Sequence, residues 1–566
     1  MSTLLYPTTL VEVGVALLLL LLAALWPHRA ARALARIEAR LKHVPTSLGM
    51  QLLVVGLFAV LLRAAFLPWL GASVPLIPDE YSLVLQAQTF VEGRLANPVH
   101  PMWPHLQGMH VNQIPAYASM YFPGRGLPMV PGILLFDSPW LGVWLSFVLF
   151  AMSTVWMLRG WMDPRWALLG GMLVVLRLGA ASYWINSYWG GAFAATGAML
   201  VFGALPRLVK RPRWSIGLLL GLGALILMTT RPYEGAIFCA AAGLLFLPRL
   251  WRTGWPNLRL VATRAGIPLA ACVVLGALAI TQYNEATTGD ALTTPYDVNR
   301  EMYAIAPAFL ISPPVAQSDR SFAVPAHYPA LYEEEAEEYL RAKDSTAYLL
   351  SLELRKLYLA FQFYVGFAMA IPFLVGLWAS RRDLPVIGTM VAVFAGHTLT
   401  TWALAHYVAP IFPVLLLITM RGLVVLGRWT LADRPVGYVY SRGVFLAVAA
   451  PLLVLLSHLT TGRPAIAHNS SDLPCCTLVQ ANEHSEVIER LKGLPGRDLV
   501  VVQHDAFYPF RKEMAYNEPD IDASPVVFAH SLSEAADRRL LAYFRNRRLW
   551  TLRFTADGYA LEPLAR

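Results

Sequence analysis

Long apolar blocks recur along this chain, and no other feature limits its fold as strongly. Val13–Trp26, Gln51–Leu70 and Val444–Leu456 are three of them, and about 20 apolar residues are what an α-helix needs to cross the hydrocarbon core of a bilayer. Of the 566 residues, 57% are hydrophobic and 14% charged. Soluble globular chains carry roughly 45–50% and about 25%. The composition excludes a soluble enzyme, a disordered chain and a nucleic-acid binder. The chain reads as a polytopic α-helical membrane protein.

Charge assigns the sides of the membrane. The segments 28–42, 206–213, 248–264 and 421–442 are rich in Arg and Lys, whereas 283–356 is acidic and contains EEEAEE at 333–338. Basic loops stay on the cytoplasmic side, so the net charge of +9 records topology. Applied loop by loop, the rule predicts about twelve spans, near 9–27, 49–70, 138–158, 165–182, 188–206, 214–230, 235–250, 265–282, 358–379, 385–403, 407–427 and 443–461. Three long segments fall outside: 71–137, 283–357 and 462–566. No Lys or Arg precedes Arg29, which predicts a retained first span with its N-terminus outside rather than a cleaved signal. Leu34, Ile37 and Leu41 form one stripe of an interfacial amphipathic helix.

Three units follow: 1–48 with the first span and the amphipathic helix, a body at 49–461 with outer loops 71–137 and 283–357, and a tail at 462–566. The tail changes character. DLVVVQ (498–503), PVVFAH (525–530) and RRLWTLRF (547–554) read as strands and 533–547 as a helix, so the tail is expected to be a small extracytoplasmic α/β domain. Cys239 and Cys272 lie in apolar runs, while Cys475 and Cys476 stand in the tail with no other outward cysteine to bridge to. No spacing matches a structural zinc motif.

Chemistry is expected where polar groups gather at the outer span ends. Asp79 and Glu80 follow the second span. One reading makes them a general base at the membrane surface; the other has Asp79 cap the following helix while Glu80 faces water. Arg231 and Glu234 sit in TTRPYEG at another outer end, either as a phosphate clamp or as a simple pair one turn apart. Arg63 and Arg177 lie inside spans, where structural pairing is the expectation. Tyr121 to Gly126 is a turn-rich segment carrying Arg125, and His100, His105 and His110 share its loop without a metal-binding spacing. Asn186 to Gly191 and His406-Tyr407 mix polar and aromatic groups.

The outer loop opening with Pro78-Asp79-Glu80, followed by GRLANPVHPMW (93–103), PAYASMYFPGRG (115–126) and TRPYEG (230–235), resembles the GT-C glycosyltransferases. It is similar in particular to bacterial relatives of the protein mannosyltransferase and aminoarabinose transferase group, over roughly residues 50–460. The resemblance implies a GT-C-like body and a polyprenyl-phosphate sugar donor. It also implies an acceptor hydroxyl on a lipid, protein or glycan, and a periplasmic site in a bacterial inner membrane. Asp79 would be the base with Glu80 beside it. The chain departs from the family pattern in its extra first span and its α/β tail. Arg125 and Arg231 are expected on the phosphate, with Glu234, Tyr121, His110 and His406 completing the substrate contacts. A divalent cation such as Mg or Mn is compatible, because Asp79, Glu80 and Glu234 all offer oxygen. Two other readings make different demands. A flippase for a lipid-linked saccharide calls for mid-bilayer polar groups and broken helices. A non-catalytic envelope scaffold calls for a phenotype that depends on the tail and not on Asp79.

Overall fold

The computed structural model describes residues 7–40, 46–315, 322–461, 475, 482–509 and 511–564. Among them, eight helices are long and apolar enough to cross a membrane, and Thr346–Val365 with Phe367–Ser380 forms a ninth candidate bent by 75°. The expected number, about twelve, is corrected for a physical reason. The stretches near 165–182, 214–230 and 385–403 fold as shorter helices of 15, 17 and 14 residues (Pro164–Leu178, Trp214–Thr230 and Leu384–His397). The stretch near 358–379 is broken where Gly366 takes φ 70°, a left-handed conformation that glycine adopts freely. The amphipathic helix runs Pro27–Arg40; Leu41 lies outside the described residues.

One apolar core unites the bundle. Phe147, Phe150, Trp184, Phe202, Phe363 and Phe412 are buried in it. Both arginines inside spans are held by partners. Arg177 pairs with Glu12 at 3.0 Å and donates to the carbonyls of Gln362 and Phe363. Arg63 has no carboxylate within 4.0 Å among the described residues: it donates to Asn186 Oδ1 (3.1 Å) and Gly71 O (2.7 Å) and lies over Trp140.

At one end of the bundle the loops and the tail pack together. A short hairpin, β1 (Val111–Asn112) and β2 (Ala118–Ser119), belongs to the first loop. The tail forms a four-stranded sheet of β3 (Asp498–Val502), β4 (Val526–His530), β5 (Arg548–Thr555) and β6 (Gly558–Pro563). Its order is β4-β3-β5-β6, with β3 parallel to both neighbours and β6 antiparallel. The β3 run is buried along its whole length, as strands covered on both faces are. Leu499, Val501, Val527 and Ala529 share a core with Leu106, Val111 and Tyr117 of the first loop. The second loop is fastened too. Glu513 meets His327 at 3.4 Å and His530 at 3.0 Å and accepts from Tyr328. Burial alone would raise the Glu513 carboxyl, but the His530 and His327 rings hold it well below its ordinary range. Cys475 is disulfide-bonded, a pairing not anticipated from the sequence; Cys476 lies outside the described residues.

Candidate functional site

The first outer loop opens by turning the chain back on the bundle. The Leu48–Leu70 span ends at Gly71 (φ 64°), and the Pro78–Val91 helix begins with Ile77 as its N-cap and Pro78 in the first position, where proline's missing N–H and fixed φ suit a helix start. Asp79 is therefore not the cap. Glu80 does that work: one carboxylate oxygen accepts the Leu76 N–H (2.6 Å) and the Ile77 N–H (3.3 Å), and the other accepts the Tyr188 N–H (3.0 Å). The expectation that Glu80 stands beside Asp79 as a second reacting carboxylate is corrected accordingly, as is the alternative that it faces water. It is 2% exposed, and burial pushes its carboxyl up to about 7 despite those three amides.

Asp79 points elsewhere. It accepts a short hydrogen bond from the Tyr121 hydroxyl and lies 3.4 Å from His110 Nδ1, which is 3.2 Å from the same hydroxyl. Its side chain keeps 19% exposure. Burial alone would raise its pKa; the His110 ring, the Tyr121 hydroxyl and the Arg125 charge outweigh this and hold the carboxylate well below its ordinary range. The hairpin sets these partners. His110 has φ 63°, a strained conformation for a residue with a Cβ. It is pinned by Ser82, whose hydroxyl donates to the His110 carbonyl (2.6 Å) and meets Ser119 Oγ at 2.7 Å.

The Tyr-Phe-Pro-Gly-Arg-Gly segment carries the first arginine. Its glycines are there for close approach: a Cβ on Gly124 would lie 2.4 Å from Thr229 Oγ1, and one on Gly126 2.7 Å from Gln86 Oε1. Gln86 accepts the Gly126 N–H at 2.7 Å and donates to the Tyr121 carbonyl at 2.8 Å. Arg125 is thereby laid over the Tyr121 ring, 4.1 Å from its centroid. Arg231 stands at the junction of Trp214–Thr230 and Pro232–Trp251, over the Tyr407 ring at 4.6 Å. Among the described residues, neither arginine has a carboxylate within 4.0 Å. Arg231 and Glu234 therefore do not form the simple pair that their spacing allowed. Burial and the neighbouring Arg231 charge lower the pKa of Arg125.

Both arginines line one cavity of about 40 Å³, together with Met129, Trp184, Ser187 and Trp189. Arg125 joins this cavity to Tyr121 and Asp79. His406 is 1% exposed and is not on the wall; it braces Trp189 at 4.6 Å between ring centroids and meets the Tyr183 hydroxyl at 3.3 Å. Glu234 is 7% exposed and also off the wall. Sequence reasoning missed Tyr407 as a ring under Arg231, and it left the Asn186 to Gly191 segment undecided between a sugar site and an aromatic belt. The only signal was that segment's mixture of polar and aromatic groups.

A second cavity, about 200 Å³, lies where Pro78 and Tyr81 face the tail residues Asn482, His484, Lys512 and Tyr516. Tyr81 stacks on Tyr516 at 4.1 Å, and Asn482 Nδ2 donates to the Tyr81 hydroxyl oxygen at 2.6 Å. Its charges are matched: Lys512 pairs with Glu483 and Arg511 with Glu334. Glu80 is bonded to both cavities, through Leu76 and Ile77 of this wall and Tyr188 of the other.

The three loop histidines disperse. His100 meets Asp522 at 3.3 Å, and His105 Nδ1 lies 2.8 Å from the His530 carbonyl, while His110 stays with Asp79. Among the described residues, no group of three or more His, Cys, Asp or Glu could hold a metal ion. Asp79, Glu80 and Glu234 are accordingly not gathered into one cation site among the described residues.

No family model matches the sequence, and no curated protein matches it. Among solved structures, the chain is similar to ArnT from Cupriavidus metallidurans in the apo state, at 13% identity and a TM-score of 0.47 over 88% of this chain and 93% of that one. The same protein bound to undecaprenyl phosphate gives 13% and 0.46 with the same coverage. The apo oligosaccharyltransferase of Archaeoglobus fulgidus gives 10% and 0.41, over 90% of this chain and 70% of that one. These likenesses are too distant to decide this chain's chemistry, which rests on the geometry above.

Proposed function

We propose that this chain transfers a glycosyl group from a polyprenyl-phosphate sugar to an acceptor hydroxyl at the periplasmic face of a bacterial inner membrane. One observation carries the reading. Asp79, bonded to Tyr121 and near His110, lies close to Arg125, which lines an aromatic-walled cavity with Arg231 in a membrane-spanning bundle, and among the described residues neither arginine has a carboxylate within 4.0 Å.

The chemistry follows from those groups. A sugar on a lipid phosphate has a good leaving group, so the demand is for cationic stabilisation rather than a strong general acid. Arg125 and Arg231 supply it, and a guanidinium fork suits phosphate. The acceptor oxygen forms the new bond to the anomeric carbon while the bond to the phosphate oxygen breaks. The electron pair leaves with the phosphate, and the acceptor proton passes to Asp79. A single in-line displacement inverts the anomeric centre. A weak base suffices, because the hydroxyl becomes strongly acidic only as its oxygen bonds to carbon. Tyr121 and His110 fix the carboxylate's orientation. The second cavity, with its charges paired and its wall of tyrosine and asparagine, is the acceptor's approach. The resemblance to GT-C enzymes supplies the donor class; the two arginines on the cavity wall support it.

The test is transfer by the purified protein from polyprenyl-phosphate sugars, with Asp79→Asn in parallel. Undecaprenyl phosphate, the ligand of the ArnT structure, serves as the binding probe. Transfer that survives Asp79→Asn undiminished removes Asp79 from the mechanism.

A further inference from the structure

The far end of the bundle holds a cavity that the proposed reaction does not use. Gln51, in the first turn of the Leu48–Leu70 span, donates to the Pro164 carbonyl at 3.0 Å. That 23-residue helix separates Pro164 from the Asp79 end by about 35 Å at 1.5 Å per residue. Beside Pro164 opens a space of about 560 Å³ whose polar wall is Asp163, Arg165, Trp166, Arg421 and Arg428. Met162, Ala379, Val424 and Val425 form its apolar wall.

The charges are not balanced. Arg421 pairs with Asp383 at 2.9 Å, and Arg249 shares that carboxylate at 3.0 Å. Asp163 accepts the Arg165 N–H at 2.9 Å and caps the Pro164–Leu178 helix. Among the described residues, Arg165 and Arg428 have no carboxylate within 4.0 Å. Both are exposed. A free inorganic anion would use the cations and leave the apolar wall wet. A molecule with an anionic head and hydrocarbon chains uses both, and basic clefts between spans on the basic side of a membrane protein suit such heads. We propose that this cavity binds the headgroup of an anionic phospholipid of the surrounding bilayer, with the phosphate at Arg165 and Arg428 and the first methylenes along Val424 and Val425.

Full-length protein in detergent is titrated with phosphatidylglycerol, with phosphatidylcholine and with inorganic phosphate, and retained lipid is read by native mass spectrometry. Phosphatidylglycerol is expected to be retained about tenfold or more better than phosphatidylcholine and not to be displaced by millimolar phosphate. The double variant Arg165→Ala/Arg428→Ala loses that preference. Arg252→Ala/Arg259→Ala, two exposed arginines outside the cavity, keeps it. Unchanged melting temperatures show that both variants fold. Equal retention of the two lipids overturns the proposal, as does an unaffected Arg165/Arg428 variant. An equal loss in the Arg252/Arg259 variant reduces the effect to general surface charge, and displacement by phosphate reduces the cavity to an ion site; either result also overturns it.

Discussion

Replacing Asp79 with asparagine separates base catalysis from binding. The amide keeps the side-chain volume and an oxygen for the Tyr121 hydroxyl, but it carries no charge and takes no proton. A positioned general base contributes about 10²–10⁴-fold, so turnover is expected to fall by that factor, or about 3–5 kcal/mol of barrier. Donor binding should move the other way. Asp79 adds a negative charge close to Arg125, and removing it leaves the two arginines a more positive field for the lipid phosphate. Undecaprenyl phosphate is therefore expected to bind Asp79→Asn as tightly as wild type or more tightly. Because His110, Tyr121 and Arg125 hold the carboxylate well below its ordinary range, wild-type turnover should show no acidic limb from this group between roughly pH 5 and 8. The assay is single-turnover transfer with lipid binding measured separately. Turnover within threefold of wild type, or a loss confined to donor affinity, refutes the assignment.

Other perturbations give distinct signatures. Arg231→Ala removes one of the two guanidinium groups on the cavity wall, and lipid-phosphate affinity is expected to fall about 10–100-fold, at 1.5–3 kcal/mol for a charged hydrogen bond, while Arg231→Lys recovers part of it in the same titration. Glu80 titrates near 7 in the folded chain against an ordinary 4.5; the folded state thus holds the proton more tightly, and stability present below the ordinary value is lost as pH rises through 7. That difference is worth about 3 kcal/mol, and thermal unfolding between pH 5 and 8 should show the slope in wild type and its absence in Glu80→Gln. Gly124→Ala drives a Cβ to 2.4 Å from Thr229 Oγ1; overpacking costs about 1–3 kcal/mol and displaces Arg125. Donor affinity should drop more steeply than the melting temperature, as titration and thermal unfolding together will show.

The body was legible because hydrocarbon imposes a rule that hydropathy reads directly. Every expected span corresponds to a helical segment, although three are too short to meet the length criterion and one is bent. Windowed hydropathy does not register the left-handed Gly366 that bends the chain. The tail's three expected strands appear as β3, β4 and β5, whereas β6 escaped notice because Gly558–Pro563 alternates weakly, with little of it buried. At the site, Asp79, Tyr121, Arg125 and Arg231 were named in advance because turn chemistry and a misplaced positive charge flagged them. Tyr188 and Tyr407 stood in flagged segments whose role stayed open, and Trp184 could not be chosen from among the chain's 17 Trp, because its place on the wall depends on how helices far apart in sequence pack.

The adjacent carboxylates show why composition and spacing stop short of mechanism. Asp79 and Glu80 share one helical turn, and successive side chains on a helix diverge by about 100°, so one rotation sends them into different surroundings. Glu80 meets three backbone N–H groups and no side-chain cation, and burial dominates its titration. Asp79 meets a hydroxyl, an imidazole and a nearby guanidinium, and these outweigh burial. The proton is thus held more tightly than usual in one and less tightly in the other, although the two lie side by side and like charges oppose joint ionisation. Glu80 is then a positioning residue. It fixes the turn through Leu76, Ile77 and Tyr188, and that turn sets Asp79 beside Tyr121 and His110.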